Sequence, residues 1–150
     1  MGNSESAWLL RPAQATDEPA IRALVRSERL NPFGLRWPRF VVAEAAGTVV
    51  GCAQVKPHRG GKEFASLVVA PGWRGRGLAA ALIHHFVAQT RGPLWLMCAA
   101  WLMPFYEPFG FRPAMSPSTM PLFFRALFLI SRLFGKPHQH LAIMMRPLTT

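Results

Sequence analysis

The stretch Leu67-Val68-Val69-Ala70-Pro71-Gly72-Trp73-Arg74-Gly75-Arg76-Gly77-Leu78-Ala79 does most to limit what this chain can become. An apolar run stops at a proline, a basic glycine-rich turn follows, and Leu78, Leu82 and Phe86 then recur at helical spacing. That order reads as strand, turn, helix. Gly75 and Gly77 let the backbone approach a ligand closely, and the N–H groups of Arg76 through Ala80 then point at whatever sits above the helix start. A phosphate suits such a place, with Arg74 and Arg76 supplying charge-assisted hydrogen bonds. Two familiar phosphate loops are excluded by the residues themselves. A P-loop ends in Gly-Lys-Ser/Thr, which does not follow here. Gly75-x-Gly77-x-x-Ala80 formally fits a dinucleotide fingerprint, but that fold needs an acidic residue about 20 positions on. Between Gly72 and Tyr106 there is no Asp or Glu at all.

The rest of the chain frames this segment with alternating patterns. Residues 7–11 make a short apolar entry strand, and Thr16 opens a helix with Asp17 and Glu18 in its first turn, where the macrodipole favours acid. Residues 31–38 read as a loop. Strands follow at Phe40–Ala45, 49–55 and 63–69, joined by turns at Ala46-Gly47-Thr48 and at the Gly60-Gly61 pair. After the helix to Gln89, residues 94–98 are wholly apolar, as in a strand buried on both faces. Residues 101–108 suggest a short helix, 111–113 a strand, 117–134 a second helical pattern and 141–145 a last strand. The expectation is an α/β (α+β) domain over 1–150, with 1–6 as a flexible N-terminus and 115–137 as a helical insertion.

Composition narrows the class. The 150 residues carry 17 Lys+Arg against 7 Asp+Glu, a formal charge of +10, with 51% hydrophobic and 16% charged residues. Such a chain is not a disordered tail. The apolar run Leu122–Phe134, broken by Arg125, Ser131 and Arg132, is shorter than the roughly 20 residues that span a bilayer. No secretory signal opens the chain, and Cys52 and Cys98 sit in apolar runs without a disulfide framework, so a reduced, cytoplasmic location is expected. The charge asks for an anionic partner. Nucleic acid is disfavoured, because Lys and Arg are spread through the chain and no aromatic-basic RNA motif appears.

Two motifs in order then carry a resemblance. Arg74, Gly77 and Ala79 match the Arg/Gln-x-x-Gly-x-Gly/Ala signature of the GCN5-related N-acetyltransferases. Pro104-Phe105-Tyr106-Glu107-Pro108-Phe109-Gly110-Phe111 is similar to that family's late Phe-Tyr-Glu-x-x-Gly-Phe segment. The resemblance implies a mixed, mostly antiparallel twisted sheet of about seven strands flanked by helices. It implies acetyl-CoA as co-substrate, no metal, and transfer of the acetyl group to a primary amine of a small molecule or peptide by direct attack in a ternary complex. Leu67, Val68 and Val69 would bond the pantetheine arm. Arg74, Gly75, Arg76, Gly77, Leu78 and Ala79 would hold the pyrophosphate, and Tyr106, the sole tyrosine, would protonate the departing thiolate. Glu63 stands where histone-type members carry a general base, and Glu44 on the neighbouring strand is the second candidate. Seven residues before the tyrosine, where many relatives have asparagine, stands Ala99.

Alternative readings remain open from the residues. An N-acetylglutamate synthase-like enzyme would hold an anionic amino acid with Arg36, Arg39 or Lys56. A non-catalytic basic module would bind nucleic acid or a membrane. The helix over Leu122–Phe134, with a narrow polar stripe, is expected to bury its broad apolar face inside the protein or against a second copy in a homodimer. Peripheral membrane contact through 122–134 is the less favoured reading. His84-His85 on a helix point about 100° apart and do not suit one metal. Pro137-His138-Gln139-His140 has no supporting ligands, and Met1-Gly2-Asn3-Ser4 formally fits a myristoylation start that is not adopted.

Overall fold

The computed structural model describes residues 7–135 and 140–148. The expected flexible 1–6 segment, its formal myristoylation start, the end of the insertion and the Pro137-His138-Gln139 run lie outside the described residues. The chain runs β1 (Trp8–Pro12), α1 (Glu18–Ser27), β2 (Phe40–Ala45), β3 (Thr48–His58), β4 (Gly61–Val69), α2 (Leu78–Gln89), β5 (Leu94–Ala99), α3 (Met103–Tyr106), β6 (Arg112–Pro113), α4 (Leu122–Phe134) and β7 (Leu141–Arg146). The strands make one seven-stranded sheet in the order β1-β2-β3-β4-β5-β7-β6. β1 with β2, β2 with β3, β5 with β7 and β6 with β7 pair antiparallel, whereas β4 and β5 pair in parallel. This is the mixed, mostly antiparallel sheet that the resemblance implies.

By its packing the chain divides into two units, residues 1–55 with 65–88, and residues 56–64 with 89–150. The first unit is built on β1, β2, the first part of β3 and the end of β4. Alternation along β2 sends Phe40 and Val42 to one side and Ala43 and Ala45 to the other. Phe40 and Val42 join Ile21 and Val25 of α1, whose apolar residues recur at helical spacing, together with Cys52 and Val68. Ala43 and Ala45 pack with Val50 and with Leu78 of α2. In the second unit Trp95 of β5, Phe124 of α4, Met120 and Ile143 of β7 form the core. Gly61 is needed there, because a Cβ at that position would stand 2.9 Å from Trp95 Cδ1.

Three details differ from the pattern reading, each for a local reason. The second hairpin is tighter than expected: β3 reaches His58 and β4 starts at Gly61, leaving Arg59-Gly60 as a two-residue turn with Gly60 at φ +89°. Residues 101–108 are not one helix but successive short turns around α3, because Pro104 and Pro108 withhold backbone donors. The helix expected from Thr16 starts at Glu18, after a 3-10 turn over Ala15–Asp17.

That turn is fixed by Asp17, a buried carboxylate. It accepts hydrogen bonds from Arg11 Nη1 at 2.7 Å, Arg11 Nη2 at 2.9 Å and the Gln14 N–H at 2.7 Å. Hydrogen bonding from Arg11 holds the Asp17 carboxyl below the usual carboxylate range, against the opposing effect of burial. A carboxylate depressed in the folded state stabilises the fold above its unfolded pKa of about 3.9, and that stabilisation disappears as pH falls through the lower folded value. Replacing Asp17 by Asn is therefore expected to lower stability by about 1–3 kcal/mol at neutral pH, with the gap to the parent closing on acidification. Urea unfolding at a series of pH values measures both.

Candidate active site

The strand–turn–helix segment forms within the first unit. β4 ends at Val69, Pro71–Trp73 make one 3-10 turn, and α2 starts at Leu78. Gly75 and Gly77 have φ of +76° and +83°, a region costly for any side chain with a Cβ. The first α2 ladder bond runs from the Ala81 N–H to Gly77 O at 3.0 Å. The N–H groups of Leu78, Ala79 and Ala80 therefore lie ahead of the ladder, at the positive end of the helix dipole. Residues 74–77 are exposed, so these donors face an accessible turn.

The two arginines of the turn do different things. Arg74 donates from Nε to Val69 O at 3.1 Å and pairs through its guanidinium with Glu28 at the end of α1. It braces the turn, where the sequence alone suggested a direct phosphate contact. Arg76 lies over the Trp73 ring at 4.6 Å, so its guanidinium is oriented by a cation–π contact while remaining exposed. Upstream, Leu67 and Val69 are half-buried and Val68 is buried in the core. The parallel ladder to β5 covers only Lys62↔Leu94 and Glu63↔Trp95. Within β4, Ser66 has φ +58° at a non-glycine position. Its hydroxyl accepts from Gln54 Nε2 at 2.9 Å, and its carbonyl accepts a weak contact from Cys52 Sγ at 3.6 Å. A left-handed residue inside a strand turns its neighbouring amides out of register.

The two candidate bases are in different situations. Glu44 accepts from Arg11 Nε at 2.9 Å, the same arginine that holds Asp17, so it belongs to a structural ion-pair network in the first unit. Glu63, in the second unit, is buried, only 4% exposed. Its Oε2 lies 2.5 Å from His58 Nε2. The His58 ring stacks on Phe123 of α4, with centroids 4.2 Å apart and planes inclined by 13°, and meets the edge of Phe124 at 5.5 Å. The Gly60-Gly61 pair suggests a wider turn that would include His58, whereas His58 is the last residue of β3. A two-residue hairpin brings positions 58 and 63 within reach.

Tyr106 sits in α3 with its ring edge-on to Phe105 and Phe111, and is 8% exposed. Burial raises its phenol above the ordinary value, and the nearby Cys98 adds to the shift. Burial likewise pushes the Cys98 thiol up to about 11 and the Cys52 thiol up to about 12. Among the described residues, no group of three His, Cys, Asp or Glu is arranged to hold a metal.

Residues 36–113, more than half of the chain, match the family model for the acetyltransferase (GNAT) domain. The chain belongs to the GNAT acetyltransferase family. Among solved structures it is similar to N-acetylglutamate synthase from Neisseria gonorrhoeae complexed with coenzyme A and N-acetyl-glutamate, at 23% identity and TM-score 0.77. That match covers 97% of this chain but 36% of the other, so the chain spans about a third of that relative's length. Rv2747 from Mycobacterium tuberculosis, in complex with CoA and NLQ, matches at 18% identity and TM-score 0.73 over 94% of this chain and 99% of its own. Ard1 from Thermoplasma volcanium matches at 18% identity and TM-score 0.69 over 96% and 99%. No curated sequence matches the chain.

Because Tyr106 is the only tyrosine, its ionisation is directly visible. In the folded protein the phenolate absorbance near 295 nm is expected to stay absent around pH 10, where a free phenol is half ionised, and to appear there once denaturant is added. Half-ionisation near pH 10 in the native state would refute the burial argument.

Proposed function

We propose that this chain transfers the acetyl group of acetyl-CoA to a primary amine by direct attack in a ternary complex. The observation that carries the reading is the turn at 74–77, with its two left-handed glycines and the unladdered amides of Leu78–Ala80. Those amides, with Arg76, suit the pyrophosphate, while Arg74 keeps the turn in shape through Glu28. The segment 65–69 of β4, past its ladder with β5 and broken by the positive φ of Ser66, offers backbone groups to the pantetheine amides and a strand-end N–H to the developing oxyanion. The Neisseria and Mycobacterium relatives are complexed with coenzyme A, which supports this assignment.

The His58–Glu63 pair is the proposed base. A buried carboxylate bonded to an imidazole accepts a proton as a unit, so the ammonium of the acceptor loses its proton to the pair before attack. Tyr106 is the proposed donor to sulfur. Its raised phenol pKa keeps it protonated through the working range but makes full transfer to a thiolate uphill, so it acts by hydrogen bonding as the C–S bond breaks. The amine nitrogen bonds to the acetyl carbon, the C–S bond breaks, and the proton the nitrogen then sheds balances the one the departing thiolate takes up.

A second reading, acetylation of an anionic amino acid, is favoured by the N-acetyl-glutamate named with the Neisseria relative. Arg36 is exposed and Arg39 half-buried beside the loop before β2, whereas Lys56 is buried and engaged, which leaves the two arginines as the better carboxylate contacts.

Calorimetry with acetyl-CoA, followed by thiol release over a panel of amines, amino acids, polyamines and peptides, tests the reading. Tyr106→Phe and Glu63→Gln are each expected to lower kcat by roughly 10²–10⁴ with cofactor affinity nearly unchanged. His58→Gln should also lower kcat. Absence of any calorimetric signal for acetyl-CoA would sink the proposal.

A further inference from the structure

Helix α4 has its amphipathicity inverted with respect to the protein body. Phe124 is fully buried, and the same side carries Ser131, whose Oγ accepts the Leu141 N–H at 3.2 Å. Arg125 is turned back as well, donating to Pro117 O at 2.9 Å and to Ser118 O and Met120 O at 3.2 Å. What faces outward is apolar: Leu122 is 67% exposed, Leu129 46%, Ile130 53% and Leu133 75%, with Ala126 exposed between them. Positions 122, 126, 129, 130 and 133 fall on one arc of a 3.6-residue helix, and no polar side chain interrupts it. The expectation that the broad apolar face is buried within the chain is therefore not met.

The rim of this face is cationic. Arg132 is exposed on one flank, held over Phe128 at 5.0 Å. At the start of the helix, the β3–β4 hairpin packs on Pro121, with a Cβ at Gly60 reaching Pro121 Cβ at 3.7 Å. That hairpin carries the exposed Arg59 and Lys62. Acid is missing from the neighbourhood. Its one carboxylate, Glu63, is buried against His58, and from Pro108 to Thr150 the sequence has no Asp or Glu.

We propose that the outward face of α4 docks on an anionic lipid bilayer, lying in the interface with its leucines below the headgroups and Arg59, Lys62 and Arg132 on the phosphates. An uninterrupted apolar arc with a basic border and no acid is the chemistry of an interfacial helix. No helix among the described residues is long and apolar enough to cross a membrane, so the contact is with the surface. Charge selects this occupant over a second copy of the chain. A partner copy carries the same +10 and would lay one cationic rim on another.

Co-sedimentation with vesicles of equal parts phosphatidylglycerol and phosphatidylcholine, against pure phosphatidylcholine, tests the proposal with the whole chain. Binding to the anionic vesicles alone is expected, weakening with added salt. The double variant Leu129→Glu with Leu133→Glu should lose about tenfold or more of that binding while keeping its thiol-release activity in solution. Should the double variant misfold, Leu133→Cys labelled with an environment-sensitive dye gives an independent readout, since Cys52 and Cys98 are buried. Its emission should shift blue on anionic vesicles and be quenched by chain-brominated lipid. Equal affinity for both vesicle types, no binding or no shift overturns the proposal. So does a dimer in sedimentation velocity that the glutamates dissolve while vesicles are ignored.

Discussion

Everything the first unit offers to a ligand depends on the backbone bend at Gly75 and Gly77. Two left-handed residues, two positions apart, let β4 hand the chain to α2 within eight residues and leave the first amides of the helix facing an open turn. A Cβ at either position would meet no neighbouring atom within 4 Å, so space is not what excludes a side chain. The dihedral is. Arg74 adds a second constraint by tying the turn to β4 through Val69 O and to α1 through Glu28. The bend is thus held from both sides, which spares the amides any reorganisation when an anion arrives.

The second governing fact is how few carboxylates there are and how they are used. Asp17 and Glu44 share Arg11, Glu18 pairs with Arg22, Glu28 with Arg74 and Glu63 with His58. Four of these pairings use arginine and fasten one element to another or a helix to itself. Only the Glu63 pairing is with an imidazole, and that His58 ring is in turn packed against Phe123 and Phe124 of α4. The base candidates separate on that difference, which no count of acidic residues displays.

Much of this was legible beforehand. Strand alternation and helical spacing located nearly every element, because each buries one face and the residues record it. The glycine turn was legible because it needs particular residue types. His58 was not, because Gly60-Gly61 suggested a wider turn that swallowed it, and the closing of the hairpin to Arg59-Gly60 is a matter of register. The orientation of α4 was hidden for a different reason. A narrow polar stripe shows that a helix has two faces but not which one meets the body, and Arg125 reversed the usual answer by capping three carbonyls. The Ser66 conformation has no residue signature, since serine is not a residue that advertises positive φ.

The thiol of Cys98 lies close enough to Tyr106 to influence its phenol, and burial holds that thiol near 11. At neutral pH on the order of one such thiol in ten thousand is ionised, and the thiolate is the nucleophile. An enzyme that handles a thioester beside a reactive cysteine would acylate itself by exchange and stall. If the thioester is handled next to Tyr106, the same burial that keeps the phenol neutral keeps this neighbour silent.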